Sequence, residues 1–112
     1  MKNLYRSLLM TCLAITNLSI SAYAVDINHG QSIFTANCSA CHPNGTNVIM
    51  NEKTLKKDVL ADNQMNSVSA ITYQVTNGKN AMPAFGGRLA DEDIEDVANF
   101  VLSQSDKDWE QM

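Results

Sequence analysis

Cys38-Ser39-Ala40-Cys41-His42 is the stretch on which the reading of this sequence turns. The pattern C-x-x-C-H is an attachment signal for a c-type haem, and each part has a chemical duty. Two thiols add across the two vinyl groups of the porphyrin. Two intervening residues set the span between the sulfurs within one turn of chain. The histidine that follows directs its imidazole at the iron from the proximal side. A thioredoxin-like redox pair needs a preceding strand and a βαβ setting, and the flanking patterns are helical. Zinc needs four ligands, and His29 is the only other histidine. The motif therefore predicts one haem c per chain, attached at Cys38 and Cys41, with His42 on the iron.

Ahead of the motif, Lys2 and Arg6 precede an apolar run over 8–20 that ends at Ala22-Tyr23-Ala24, a small-x-small cleavage pattern. This reads as an export signal over 1–24, which suits a haem attached outside the cytoplasm. The run is too short for a span of about twenty apolar residues, which disfavours the alternative of an uncleaved anchor. Cys12 lies inside the signal, and its neighbours Thr11 and Leu13 do not suit a lipoprotein site, so it is expected to be discarded. Residues 25–112 then form one domain with no membrane insertion. Losing Lys2 and Arg6 from the 8 basic residues leaves a twofold excess of the 12 acidic ones. That balance argues against nucleic acid or an anionic membrane surface as partner. A domain this small buries a thin core and needs a staple, which a covalent cofactor supplies.

Beyond the motif the pattern is all-α, about four helices joined by turns. Asn28, with Gln31 three residues on, reads as a capping box that opens a first helix over 29–37. Pro43-Asn44-Gly45-Thr46 is turn chemistry. Thr54 can cap a short helix through Lys57, Val59 and Leu60. Ser67 can cap another, with Val68, Ile71 and Val75 at helical spacing and Gly78 at its end. Residues 79–89 hold Met82-Pro83 and Gly86-Gly87 and read as an irregular loop. The last helix opens on Asp91, Glu92 and Asp93, where its dipole favours negative charge. Ile94, Val97, Ala98 and Val101 form its apolar stripe.

The sixth ligand decides what the iron does: an open position permits binding or catalysis, whereas a second strong ligand restricts it to electron transfer. Methionine is most often core filler, and 25–112 offers Met50, Met65, Met82 and Met112 as well as His29. Met82 is favoured, because its loop has enough chain after His42 to travel around the haem and carries Pro83 for stiffness. Met65 is second. Met50 follows His42 too closely, Met112 is terminal, and His29 reads as a solvated surface residue. A His/Met pair raises the reduction potential relative to two histidines.

These residues resemble a known family. Gly30-x-x-x-Phe34-x-x-x-Cys38-x-x-Cys41-His42 is similar to the opening of class I cytochromes c, in which a glycine on the first helix admits an aromatic of the last, here Phe100. Thr54-Leu55-Lys56-Lys57, Ile71-Thr72-Tyr73-Gln74-Val75, 77–89 with its Ala81-Met82-Pro83-Ala84-Phe85-Gly86-Gly87-Arg88, and Asp96-Val97-Ala98-Asn99-Phe100-Val101 resemble the cytochrome c6 family over essentially all of 25–112. The resemblance implies a small class I cytochrome c fold with haem c on Cys38 and Cys41 and axial ligands His42 and Met82. It implies Gln74 close to the haem and helping to set its potential, and Arg88 in contact with photosystem I. The activity implied is that of a soluble single-electron carrier, not an enzyme, acting as a monomer in the thylakoid lumen. Its transient partners would be cytochrome f of the b6f complex and photosystem I.

Asp91, Glu92, Asp93, Glu95 and Asp96 either steer a basic partner or simply form a solvated helix face. The alternatives to a photosynthetic carrier are a periplasmic cytochrome donating to a terminal oxidase, and a haem enzyme or gas sensor with a labile distal ligand. The second of these lacks a distal acid or base in the sequence.

Overall fold

Residues 24–110 are described in this computed structural model of the protein. Cys12, Met112 and all of the expected export signal except Ala24 lie outside the described residues. Four helices follow in order: α1, Ile27–Asn37; α2, Lys57–Asp62; α3, Val68–Asn77; and α4, Asp91–Asp106, with a 3-10 turn at Pro43–Gly45 after α1. No strand occurs among the described residues; Lys79 with Met82, and Gly86 with Leu89, form isolated bridges only.

The helix α1 starts two residues earlier than its sequence suggests, and Asp26 caps it in place of Asn28. The Asp26 carboxylate accepts the His29 amide at 3.0 Å. Its own amide donates to Asp96 Oδ1 at 2.9 Å, which fixes it at the helix mouth in the extended conformation that a cap requires. The expectation for α2 also needs correction: Lys56 occupies its cap position without a side-chain bond, and Thr54 Oγ1 accepts the Lys56 amide at 3.4 Å from outside the helix. Ser67 caps α3 as expected, accepting from Ala70 at 3.1 Å. Gly78 ends that helix at φ 72, a conformation a β-carbon disfavours.

The helix α4 is the spine against which α1, α2 and α3 pack. Asp93 Oδ2 accepts the Ala90 amide at 3.0 Å at its N-terminus. Its stripe of Ile94, Val97, Ala98 and Val101 is buried. Gly30 lets α1 cross α4 at close range. A methyl group there would collide with the Asp96 carbonyl and lie 2.9 Å from Phe100 Cβ. Phe34 and Phe100 meet next to this crossing with ring centroids 5.4 Å apart. The pairing of Gly30 with Phe100 implied by the family resemblance is therefore present.

The acidic run at the start of α4 is not uniformly solvated. Asp96 is 0% exposed, turned toward α1 rather than toward any partner. His29 is exposed, as expected, but its ring has partners: its Nδ1 lies 2.9 Å from Asp96 Oδ2 and its Nε2 3.7 Å from Asp93 Oδ1.

Candidate haem site

Cys38, Cys41, His42, Gln74 and Met82 line one cavity of about 360 Å³. That volume falls in the range of small-molecule sites. The first three residues come from the turn that leaves α1, Gln74 from α3 and Met82 from the loop after it. Most of the remaining wall is apolar, with Phe34, Ile71, Val75 and Val97 among the residues facing inward.

The α1 exit is wound tightly. Cys41 and His42 both donate their amides to Cys38 O, at 3.1 and 2.9 Å, so the two sulfurs and the imidazole are carried on one turn of chain. Burial pushes the Cys38 thiol up to about 11, and the neighbouring Cys41 adds to the effect. The imidazole is oriented from behind. His42 Nδ1 lies 2.9 Å from Thr46 O. A carbonyl only accepts, so the proton sits on Nδ1 and the Nε2 lone pair is free for a metal. The turn that brings Thr46 round carries Asn44 at φ 52 and Gly45 at φ 77. Asn47 then ties down the wall that follows, donating to Lys53 O at 3.0 Å and accepting from Met50 at 2.8 Å. Sequence reasoning missed Asn47. Its only local signal is an amide side chain directly after a turn.

The Met82 loop is pinned to itself and to α3. Lys79 and Met82 exchange amide bonds at 3.0 and 2.9 Å, and the Phe85 amide donates to Val75 O at 2.8 Å. Gln74 Nε2 donates to Met82 Sδ at 3.6 Å, a long but sulfur-compatible distance. Met50 and Met65 line the same cavity, so proximity alone does not separate the three methionines. Met82 is marked out by the Gln74 amide aimed at its sulfur. Arg88 stands outside the cavity, exposed, with its guanidinium 4.9 Å from the ring centroid of Phe85. Phe85 itself faces the cavity, so Arg88 sits behind its wall.

The donors suit the group that the motif implies. Two thiols, an imidazole with its metal-binding nitrogen free and a soft thioether open onto one apolar space. His42 and Met82 could serve as axial ligands and Cys38 and Cys41 as attachment points, while Gln74 could tune the thioether.

Comparison with known proteins agrees with this geometry. Residues 25–101 match the family model described as cytochrome c oxidase, cbb3-type, subunit III. The chain is 79% identical over 86 residues to cytochrome c6 of Alaria esculenta, covering 77% of this chain and 100% of that one. It is 75% identical over 85 residues to cytochrome c6 of Petalonia fascia, covering 76% of this chain and 100% of the relative. The solved structure of cytochrome c6 from the diatom Phaeodactylum tricornutum superimposes with a TM-score of 0.73 at 52% identity, over 75% of this chain and 99% of that one. With a four-helix frame, a haem-attachment motif opening onto an apolar cavity, and relatives this similar, the chain belongs to the cytochrome c6 family of electron carriers that bind haem c covalently.

Proposed function

We propose that this chain takes single electrons from cytochrome f of the b6f complex and delivers them to photosystem I. It would act as a soluble monomer in the thylakoid lumen after removal of residues 1–24. In this reading Cys38 and Cys41 carry the haem through thioether bonds, and His42 and Met82 bind its iron. The carrying observation is that these four side chains open onto one apolar cavity. Haem supplies a one-electron couple, and the chain's own residues set the conditions for it. His42 presents Nε2 because Thr46 O holds the other ring nitrogen. Met82 would supply the second iron ligand and so keep exogenous ligands off. The largely apolar wall disfavours water beside the iron. Among the described residues no helix is long and apolar enough to cross a membrane.

Flash-induced oxidation of the purified holoprotein by photosystem I tests the proposal. Rapid oxidation after a single flash is expected; a holoprotein that stays reduced would remove photosystem I as acceptor. Arg88→Gln should slow this oxidation while leaving the midpoint potential nearly unchanged, since the guanidinium stands on the Phe85 ring outside the cavity. An unaltered rate would take Arg88 out of the docking surface. The match to an oxidase-subunit family model supports a second acceptor, a terminal oxidase. Oxidation by oxidase-containing membranes in the dark would reveal it.

A further inference from the structure

The wall of the cavity behind His42, residues 43–55, is almost entirely irregular. It needs an external support, and the C-terminal segment provides one. After α4 the chain reverses: Asp108 and Trp109 adopt φ 52 and 58, and the Trp109 amide donates to Gln104 O at 2.8 Å. This reversal drives the indole into the molecule, where Trp109 is 6% exposed. Its ring lies 5.3 Å from Phe34 and 6.1 Å from Phe100, centroid to centroid. On the remaining side it meets the backbone of Gly45 so closely that a β-carbon there would overlap the indole. Its Nε1 donates to Leu55 O at 2.9 Å.

These contacts close a ring. Gly45 O accepts the Leu55 amide at 2.7 Å, the Leu55 backbone and the indole are joined through Leu55 O, and the indole face rests on Gly45. Both ends of the irregular wall are thus clamped to one side chain. The clamped residue, Gly45, directly precedes Thr46, whose carbonyl accepts the His42 Nδ1 proton.

We infer that Trp109 is a positioning residue for the proximal ligand: its indole fixes the Gly45-Thr46 backbone and thereby the hydrogen bond that orients and strengthens His42. The inference rests on His42 being the proximal ligand. A hydrogen bond from the far nitrogen raises the basicity of a metal-bound imidazole, and a more basic imidazole favours the ferric state. Loosening the carbonyl should therefore raise the reduction potential. A merely opened pocket would act the other way, because water reaching the site favours the more highly charged ferric iron. Loss of global stability alone would leave the potential of the folded molecules where it was.

The test uses holoprotein carrying Trp109→Leu, which removes both the ring stack and the indole donor, and Trp109→Phe, which keeps a ring and loses the donor. The expected result is a higher midpoint potential in both, larger in the Leu variant, with shifted His42 ring resonances in the ferric NMR spectrum. Exchange of the Leu55 amide should be faster by about tenfold or more, as for a locally released segment. Should the Leu variant fail to retain haem, the Phe variant still decides. A potential that is unchanged or lower, with His42 resonances unmoved, would overturn the inference and leave Trp109 as a core residue only. If His42 were not the iron ligand, His42→Ala would keep the parent spectrum, an outcome distinct from either of these.

Discussion

His29 Nδ1 lies 2.9 Å from Oδ2 of Asp96, a carboxylate with no solvent exposure that also holds the Asp26 amide through its other oxygen. The pair ties the first turn of α1 to the second turn of α4. The hydrogen bond to Asp96 raises the His29 pKa above its ordinary 6.5; desolvation opposes this, and the charges of Asp93, Asp96 and Asp26 add to it. A raised histidine pKa stabilises the fold fully below the unfolded value and loses that contribution as pH rises through the folded value. The parent should therefore exceed His29→Asn in stability by most below about pH 6 and by progressively less on the alkaline side of the folded pKa. Urea unfolding of both proteins across that range measures the difference. A gap that is constant with pH, or that widens on the alkaline side, would show that the imidazole does not take up a proton in the pair.

Gly30 is the position at which α1 and α4 come into backbone contact, since an added methyl would strike the Asp96 carbonyl and approach Phe100 Cβ at 2.9 Å. Neither obstacle is the end of a flexible side chain. Gly30→Ala must force the helices apart, and overpacking of this kind costs about 1–3 kcal/mol. That cost outweighs the gain of up to about 1 kcal/mol that alanine brings to a helix interior. A lower urea midpoint is expected, with haem still attached because the motif is untouched. An unchanged or higher midpoint would mean that the crossing is looser than its geometry implies.

The parts legible in the sequence were those whose signal is local. C-x-x-C-H announces its chemistry within five residues. Ser67, Gly78 and the α4 stripe place their elements by capping, conformation and periodicity, and Pro83 with Gly86 and Gly87 marks an irregular loop. The missed features depend on chain segments meeting across the fold. His29 and Asp96 are 67 residues apart, and each looks like a surface residue in its own neighbourhood. A signal for Asp96 was nonetheless available. It lies four residues before Phe100 and so shares the face of α4 that Phe100 turns to α1. Taken as one block, the acidic run hides that register. The local sequence does not reveal Asp26 as the cap of α1 for the same reason, because what places it there is the buried Asp96 carboxylate. Trp109 lies beyond the last helical period, where no pattern indicates that the chain folds back.

Gln74 aims an N–H, the positive end of a dipole, at Met82 Sδ over 3.6 Å. With Met82 on the iron, that dipole disfavours the extra positive charge of the ferric state and draws electron density from the thioether. Gln74→Leu, of similar volume, should lower the midpoint potential. A neutral hydrogen bond contributes about 0.5–1.5 kcal/mol, which for a one-electron couple corresponds to roughly 20–65 mV. Equilibrium redox titration of the two proteins reads the shift directly. A potential that stays level or rises would assign the Gln74 amide a packing role.

Among the described residues three methionines, Met50, Met65 and Met82, face the cavity, so the choice of distal ligand can be tested by removing them one at a time. Met82 sits in a loop fixed by the Lys79–Met82 bonds and by the Phe85 amide on α3, which gives its sulfur a set position. Met65 and Met82 are both packed against the hydrophobic core as partly buried side chains, so the loss of either lowers stability. Truncating a buried methionine costs about 2–5 kcal/mol, so a lower melting temperature alone is not diagnostic. The ferric methionine-to-iron charge-transfer band is. Met82→Ala should abolish that band, lower the potential and let the ferrous protein bind carbon monoxide. Met65→Ala should keep the band and refuse carbon monoxide despite reduced stability. If the two variants exchanged these behaviours, Met65 would be the ligand, and the Gln74 contact to Met82 would have no bearing on the iron.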